Sequence, residues 1–246
     1  MTYPSNDSAT EARRDLAAAL RWAVRLGLHE GICNHFSLAL PGRDDRFLLN
    51  PWSLHWKEVT ASNLIVVDPK GTMVEGQFAA EPTAFYIHAR IHLAHPEARC
   101  VLHTHMPYAT ALTMLQGGRL EPALQTAIKF WDDVAYDEVY NGLVLDEAEG
   151  DRVARGLGRK RTLFLAQHGV IVIGQTVAEA FDRLYYLERA CQAQVLAMST
   201  GRPLRTMPAE TAAMTARQMG RDIDSATLHF KALRRILDRE EPEYAG

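Results

Sequence analysis

Three histidines carry the most specific chemistry this sequence offers. The segment Cys100-Val-Leu-His-Thr-His105 closes an apolar run with two histidines two residues apart. On a strand the side chains alternate between faces, so His103 and His105 point the same way, about 6–7 Å apart at Cβ. Imidazoles so placed can reach one metal ion at about 2.0–2.1 Å each. A third, His168, closes the apolar run Thr162-Leu-Phe-Leu-Ala-Gln-His168 just before Gly169. The alternative is three ordinary strand-end histidines, but as a trio they favour a metal. Three neutral nitrogens without a cysteine partner suit a catalytic ion that keeps an open position.

The elements that must position these residues alternate between helix and strand. Ser8 followed by Glu11 fits a capping box, and Leu16, Leu20 and Val24 repeat at helical spacing up to a stop at Gly27. Strands are expected over Phe36–Leu40 and Phe47–Asn50, joined by a Pro-Gly turn, and over Leu64–Asp68 before Pro69-Lys-Gly71. Asn50–Trp56 reads as an irregular loop rich in large side chains. Pro82 opens a helix to about His95, with His88 and His92 on one face. Lacking a nearby acid, that pair is expected to pack or face solvent rather than bind metal. A helix from Pro107 to Leu115 follows the strand that ends at His105, whereas Glu121–Asp146 shows no clear pattern. Asp146–Leu157 reads as a helix, and two strands flank His168. Thr176 with Glu179 forms a second capping box opening a helix to Met198, and a last helix is expected from Pro208 to Asp238. The methionines at 198, 207, 214 and 219 are placed on these helices as core or interface filler. The charged run Arg234–Glu241 reads as a solvated helix end.

At 246 residues, 47% hydrophobic and 23% charged, the composition is that of an ordinary soluble protein. A net charge of −3 with no basic block argues against sequence-independent nucleic-acid binding. No apolar run approaches the roughly 20 residues that span a bilayer, and polar Met1–Thr10 does not read as a secretory signal. Cys33, Cys100 and Cys191 are odd in number and widely spaced, as expected in a reducing cytoplasm. Without repeats or an evident linker, one α/β domain over 1–246 is the economical reading.

Residues 94–105 (Ala-His-Pro-Glu-Ala-Arg-Cys-Val-Leu-His-Thr-His) and 165–170 (Leu-Ala-Gln-His-Gly-Val), with Val177-Ala-Glu-Ala-Phe181 and residues 185–194, resemble the class II aldolase/adducin superfamily. The resemblance spans roughly residues 10–240. Asn50-Pro-Trp-Ser-Leu54 and Thr60-Ala-Ser-Asn-Leu64 are more similar to its adducin-like branch than to its sugar-phosphate aldolases. It implies a three-layer α/β/α fold around a largely antiparallel sheet. It also implies a homo-tetramer with active sites at subunit interfaces, and a divalent ion, Zn or Mn first and Fe or Co next, on His103, His105 and His168.

Two departures limit what carries over. The aldolases place a catalytic glutamate nineteen residues before the first histidine of the pair, where this chain has Ala84. Alanine neither takes a proton nor coordinates metal, and Glu81, nearly a helical turn away, is not expected to replace it. The phosphate pocket of those enzymes uses small hydroxyl and glycine residues, whereas the matching positions here include Trp52, Ser53, Pro82 and Thr83, with Asn34 retained. The bulky indole argues against a phosphorylated sugar. His35 and His55, whose imidazoles titrate near neutrality, and tyrosines from the C-terminal region are then the acid/base and substrate candidates. Asn34, Trp52, Ser53 and Thr83 are candidate substrate contacts, and Trp52 and Trp56 could stack an aromatic substrate. Tyr244 resembles a family C-terminal tyrosine, but a disordered tail is expected there.

The expected function is a metal-dependent lyase, decarboxylase or retro-aldolase, acting on an unphosphorylated, carboxylated or aromatic small molecule. A non-haem iron oxygenase of aromatic side chains and a non-catalytic adducin-like domain are the alternatives. Neither a nucleic-acid nor a membrane partner is expected.

Overall fold

The computed structural model describes residues 6–220 and 224–246. Its centre is one eight-stranded sheet in the order β4-β3-β2-β1-β5-β8-β7-β6. The strands are β1 (His35–Ala39), β2 (Phe47–Leu49), β3 (Ile65–Val67), β4 (Met73–Glu75), β5 (Cys100–Thr104), β6 (Val134–Asp137), β7 (Thr162–Leu165) and β8 (Gly169–Gly174). Every neighbouring pair is antiparallel except β6 with β7.

Strand alternation sorts the sheet residues onto two helical layers. On one face Phe36, Leu48, Leu102 and Val172 join Leu16 and Leu20 of α1 (Asn6–Arg25). The same layer holds α3 (Pro107–Thr113), α6 (Val177–Met198) and α8 (Ser225–Glu240), through residues such as Leu112, Phe181 and Phe230. The opposite face sets Val101, Leu163 and Ile171 against α2 (Pro82–Ala94) and α5 (Glu147–Leu157). Near the β1–β3 end this face packs Phe47, Leu49 and Ile65 on Ala84 and Ala89 of α2. The result is the expected α/β/α arrangement with a largely antiparallel sheet.

Local signals explain most boundaries. Pro82 stands at the first turn of α2, and Glu81 caps it by accepting from the Ala84 N–H. Thr176 caps α6, although the Glu179 carboxylate accepts from the Gln175 N–H, one residue beyond the usual box partner. Gly27 and Gly71 take positive φ at their turns (65° and 80°).

Several expectations need correction. Ser8 lies inside α1, not at its cap, because the helix already includes Asn6. The unpatterned segment holds α4 (Gln125–Ile128) and β6, and β4 was not anticipated. The last helix is two, α7 (Ala209–Met219) and α8. Met207 precedes α7, its N–H bonded to the Pro122 carbonyl.

The run Arg234–Glu241 is not merely solvated. Arg234 pairs with Glu11 and Asp15 at 2.8 Å, and Glu241 with Arg21 and Arg25, tying α8 to α1. Nor is the tail disordered. Tyr244 is wholly buried in a 3-10 turn over 242–245, and its hydroxyl donates to Asp238 at 2.7 Å. The Ser62 N–H donates to the Gly246 carbonyl at 3.0 Å.

Candidate metal centre and active site

The histidine trio is assembled by neighbouring strands. β5 carries His103, and His105 follows it on the same face. His168 lies in the turn from β7 to β8, where Gln167 takes a positive φ of 55°. Gly169 is the residue the next step requires. A Cβ there would stand 2.5 Å from the Thr104 carbonyl and 2.8 Å from the His105 ring. Its absence lets β8 approach β5 closely enough for His168 to meet the pair.

One candidate ligand atom from each of His103, His105 and His168 can be chosen so that all lie within 4.8 Å of one another. The hydrogen bonds behind the first two rings fix which nitrogen is available. The His103 Nδ1 lies 3.0 Å from the Val170 carbonyl, which can only accept, so Nδ1 carries the proton. The His105 Nδ1 lies 2.5 Å from the Glu30 carboxylate, with the same consequence. In their neutral forms the two rings present bare Nε2 atoms to each other at 3.2 Å. Lone pairs do not attract at that distance without a cation between them. Tetrahedral ligands at about 2.05 Å from one ion would be separated by about 3.3 Å. The donor set therefore fits a divalent ion.

Electrostatics keeps His103 and His168 in the ligating form. Burial, then repulsion from His105, lowers His168 to about 4 despite the opposing pull of Glu30. Burial likewise holds His103 well below the usual histidine range, with neighbouring imidazoles adding to it.

His35 belongs to the same cluster. The β1–β5 register sets it directly opposite His103, and the rings stack at 4.8 Å. It is fully buried, which, with His105 and His168 nearby, lowers it to about 3. Its Nε2 stands 3.8 Å from Glu81, too long for a hydrogen bond. The Glu81 carboxylate is engaged instead by the Ala84 N–H at 2.7 Å and the Thr83 hydroxyl at 2.5 Å. Ala84, where the aldolases have glutamate, is buried against the sheet.

Asn34 is buried beside the histidine trio, its Oδ1 accepting from the Glu30 N–H at 2.7 Å and, more weakly, from the His105 N–H at 3.4 Å. Its Nδ2 is buried without a hydrogen-bond partner among the described residues. Thr83 sits at the start of α2, and Trp52 is 43% exposed beside Ser53, whose positive φ of 80° is unusual for a non-glycine.

Two further candidates make other contacts. His55 caps a short 3-10 turn, its Nε2 3.1 Å from that of His29, and is not part of the trio. Trp56 cannot stack a substrate, because it is fully buried against Phe36. Glu30 was missed: it sits 75 positions before His105 in a loop without periodicity, and only the proximity of an acid to Asn34-His35 hinted at it. Removing it should weaken the centre measurably. Glu30→Gln is expected to lower metal affinity by about 10–100-fold, the usual loss when the partner behind a ligating histidine is changed. A competitive zinc titration against a chelating dye measures this, and unchanged affinity would detach Glu30 from the site.

A three-layer α/β fold whose central strands bring three imidazoles together defines the class of scaffold to which this chain belongs. Residues 14–195 match the Class II Aldolase and Adducin N-terminal domain, and the chain belongs to this family. It is similar throughout to an aldolase II superfamily protein from Pseudomonas syringae, with 35% identity and a TM-score of 0.92, covering 100% of this chain and 98% of that one. Two Streptomyces proteins are each 34% identical over 206 residues, 83% of this chain. One, from Streptomyces niveus, is named Decarboxylase NovR and is covered over 76% of its length. The other, from Streptomyces roseochromogenus subsp. oscitans, is named 4-hydroxy-3-prenylphenylpyruvate oxygenase/4-hydroxy-3-prenylbenzoate synthase and is covered over 74%.

Proposed function

We propose that the chain is a metal-dependent carbon–carbon lyase, a decarboxylase or retro-aldolase, for an unphosphorylated carboxylated or aromatic small molecule. The observation that carries this reading is the pairing of an intact three-imidazole cage with a buried methyl, Ala84, where the family's aldolases place their acid. His103, His105 and His168 would hold the ion. When bound, a divalent metal supplies Lewis-acid stabilisation of the negative charge that develops beside the broken bond. The protein's own groups do the rest. The Asn34 amide offers a donor to a substrate oxygen, and exposed Trp52 offers an aromatic face. In decarboxylation the bond to the carboxylate breaks, CO₂ departs, and the carbon then takes a proton; no glutamate base is needed to begin. In the retro-aldol variant the His35 Nε2 or a tyrosine takes the hydroxyl proton as the carbon–carbon bond breaks, and the carbanion carbon then takes a proton back.

The Streptomyces decarboxylase supports the first variant. A second reading, a non-haem iron oxygenase, is supported by the oxygenase relative at the same identity. A scaffold role is less well supported, because all three ligand positions are intact. Exposed Val139, Leu143 and Leu145, with Tyr140 ringed 6.3 Å from His168, support assembly into an oligomer, proposed as a tetramer, around the site. Location in the cytoplasm agrees with three cysteines outside any disulfide and with no described helix long and apolar enough to cross a membrane.

The deciding experiment is metal analysis of protein purified without chelator, followed by screening carboxylated aromatics for CO₂ release and for oxygen uptake. Zinc or manganese with CO₂ release and no oxygen uptake is expected. Iron(II)-dependent oxygen consumption would replace the lyase with the oxygenase, and a protein that cannot be loaded with metal would leave neither.

A further inference from the structure

Between β1 and α2 runs a file of polar side chains that the proposed reaction has not used. The His35 Nδ1 lies 2.8 Å from the His88 Nε2, and the His88 Nδ1 lies 2.5 Å from the Ser37 Oγ. The Ser37 Oγ lies 2.7 Å from the His92 Nε2, and the His92 Nδ1 lies 2.6 Å from the Ala98 carbonyl. His35, Ser37 and His88 are almost fully buried. Strand spacing supplies His35 and Ser37 on one face, and helical spacing supplies His88 and His92 on the face opposite.

The last member fixes the direction of every bond. A carbonyl only accepts, so the His92 Nδ1 carries a proton and, in a neutral ring, its Nε2 is bare. The Ser37 hydroxyl must then donate to His92, leaving its oxygen to accept from the His88 Nδ1–H. The His88 Nε2 is therefore bare and accepts from the His35 Nδ1–H. Reversing the file would set a bare nitrogen against the Ala98 oxygen at 2.6 Å, which is repulsive. Burial favours neutral rings here, lowering His92 to about 4 and His88 well below its usual range. Because the file ends on a carbonyl, which has no proton to pass on, it is a fixture and not a proton conduit.

We propose that Ser37, His88 and His92 are positioning residues that lock His35 as its Nδ1–H tautomer and leave a bare Nε2 beside the His103 ring. The use of that lone pair in catalysis rests on the lyase reading; the tautomer does not. A comparable arrangement, a partner that holds a catalytic imidazole in one tautomer, underlies the hydrolase triads.

Imidazole nitrogen NMR of the full-length protein, labelled with ¹⁵N-histidine and recorded at neutral pH with and without zinc, reads the tautomers directly. Single His→Gln variants assign the signals. The wild type is expected to show His35, His88 and His92 protonated at Nδ1 only. Ser37→Ala cuts the file, so His92 keeps its tautomer while His35 gains a substantial Nε2–H population; Ser37→Thr, which restores the hydroxyl, reverses this. If Ser37→Ala does not fold, His92→Phe breaks the file one step further along, and His35 is again expected to gain an Nε2–H population. A wild-type His35 protonated at Nε2, or a His35 signal unchanged by cutting the file, would overturn the proposal. Failure to find lyase turnover would remove the function and leave these spectra as they are.

Discussion

His168→Ala is expected to take the purified protein from about one divalent ion per chain to essentially none. The three nitrogens come from three different backbone positions, and removing one leaves only His103 and His105. A pair of imidazoles loses the chelate and opens the site to water, so the loss should exceed the 10–100-fold typical of changing a partner behind a ligand. The fold should survive. The turn at His168 is shaped by Gln167 and by the close seat of Gly169 against Thr104, neither of which depends on the imidazole. Thermal unfolding with and without zinc separates the two effects. At a zinc concentration 100 times its Kd, the wild type should gain about 2.7 kcal/mol, and the variant nothing measurable. A variant that keeps the wild-type metal content would mean that the trio is not the binding site.

The metal-free protein should also lose stability steeply between pH 7.5 and 5.5, above the range in which carboxylates titrate. His92 is lowered to about 4 by burial, with the Ala98 bond opposing and Arg99 assisting that shift. Unfolded, the same ring titrates near 6.5. In the window between these values the unfolded chain binds a proton that the folded chain does not, so stability is present above about 6.5 and falls as the pH drops towards 4. At pH 5.5 this costs about 1.4 kcal/mol for each such imidazole. His88, buried with its shift in the same direction, adds to it. Urea midpoints of chelator-treated protein at the two pH values measure the sum, and His92→Gln should show a shallower dependence. Equal midpoints at pH 7.5 and 5.5 would show that these rings take up protons as readily in the folded state as in the unfolded chain.

Much of this was legible in the sequence because it rests on short-range rules. Pro82 and Thr176 mark helix starts wherever they stand, and the two-residue period placed His103 and His105 on one face before any strand partner was known. The segment 121–146 resisted because α4 and β6 are four residues each, and β6 is only half buried, so neither gives a periodic signal. The packing of α8 on α1 was invisible because Arg234 finds Glu11 and Asp15 more than 200 positions away. The same holds within the site. The histidines could be read from type and spacing, whereas Glu30 behind His105 and the file behind His35 depend on the register of β1 against β5.

That register has a consequence for how such a protein can change. The histidine trio is written into the sheet, at the ends of β5 and β8, while the acid position of the aldolases falls at residue 84 on α2, a separate layer laid against it. A substitution at one helical position can thus remove or supply a carboxylate without moving any metal ligand. The acid becomes a property of the cover and the imidazole trio a property of the floor, so lineages built on this plan can change the one while inheriting the other.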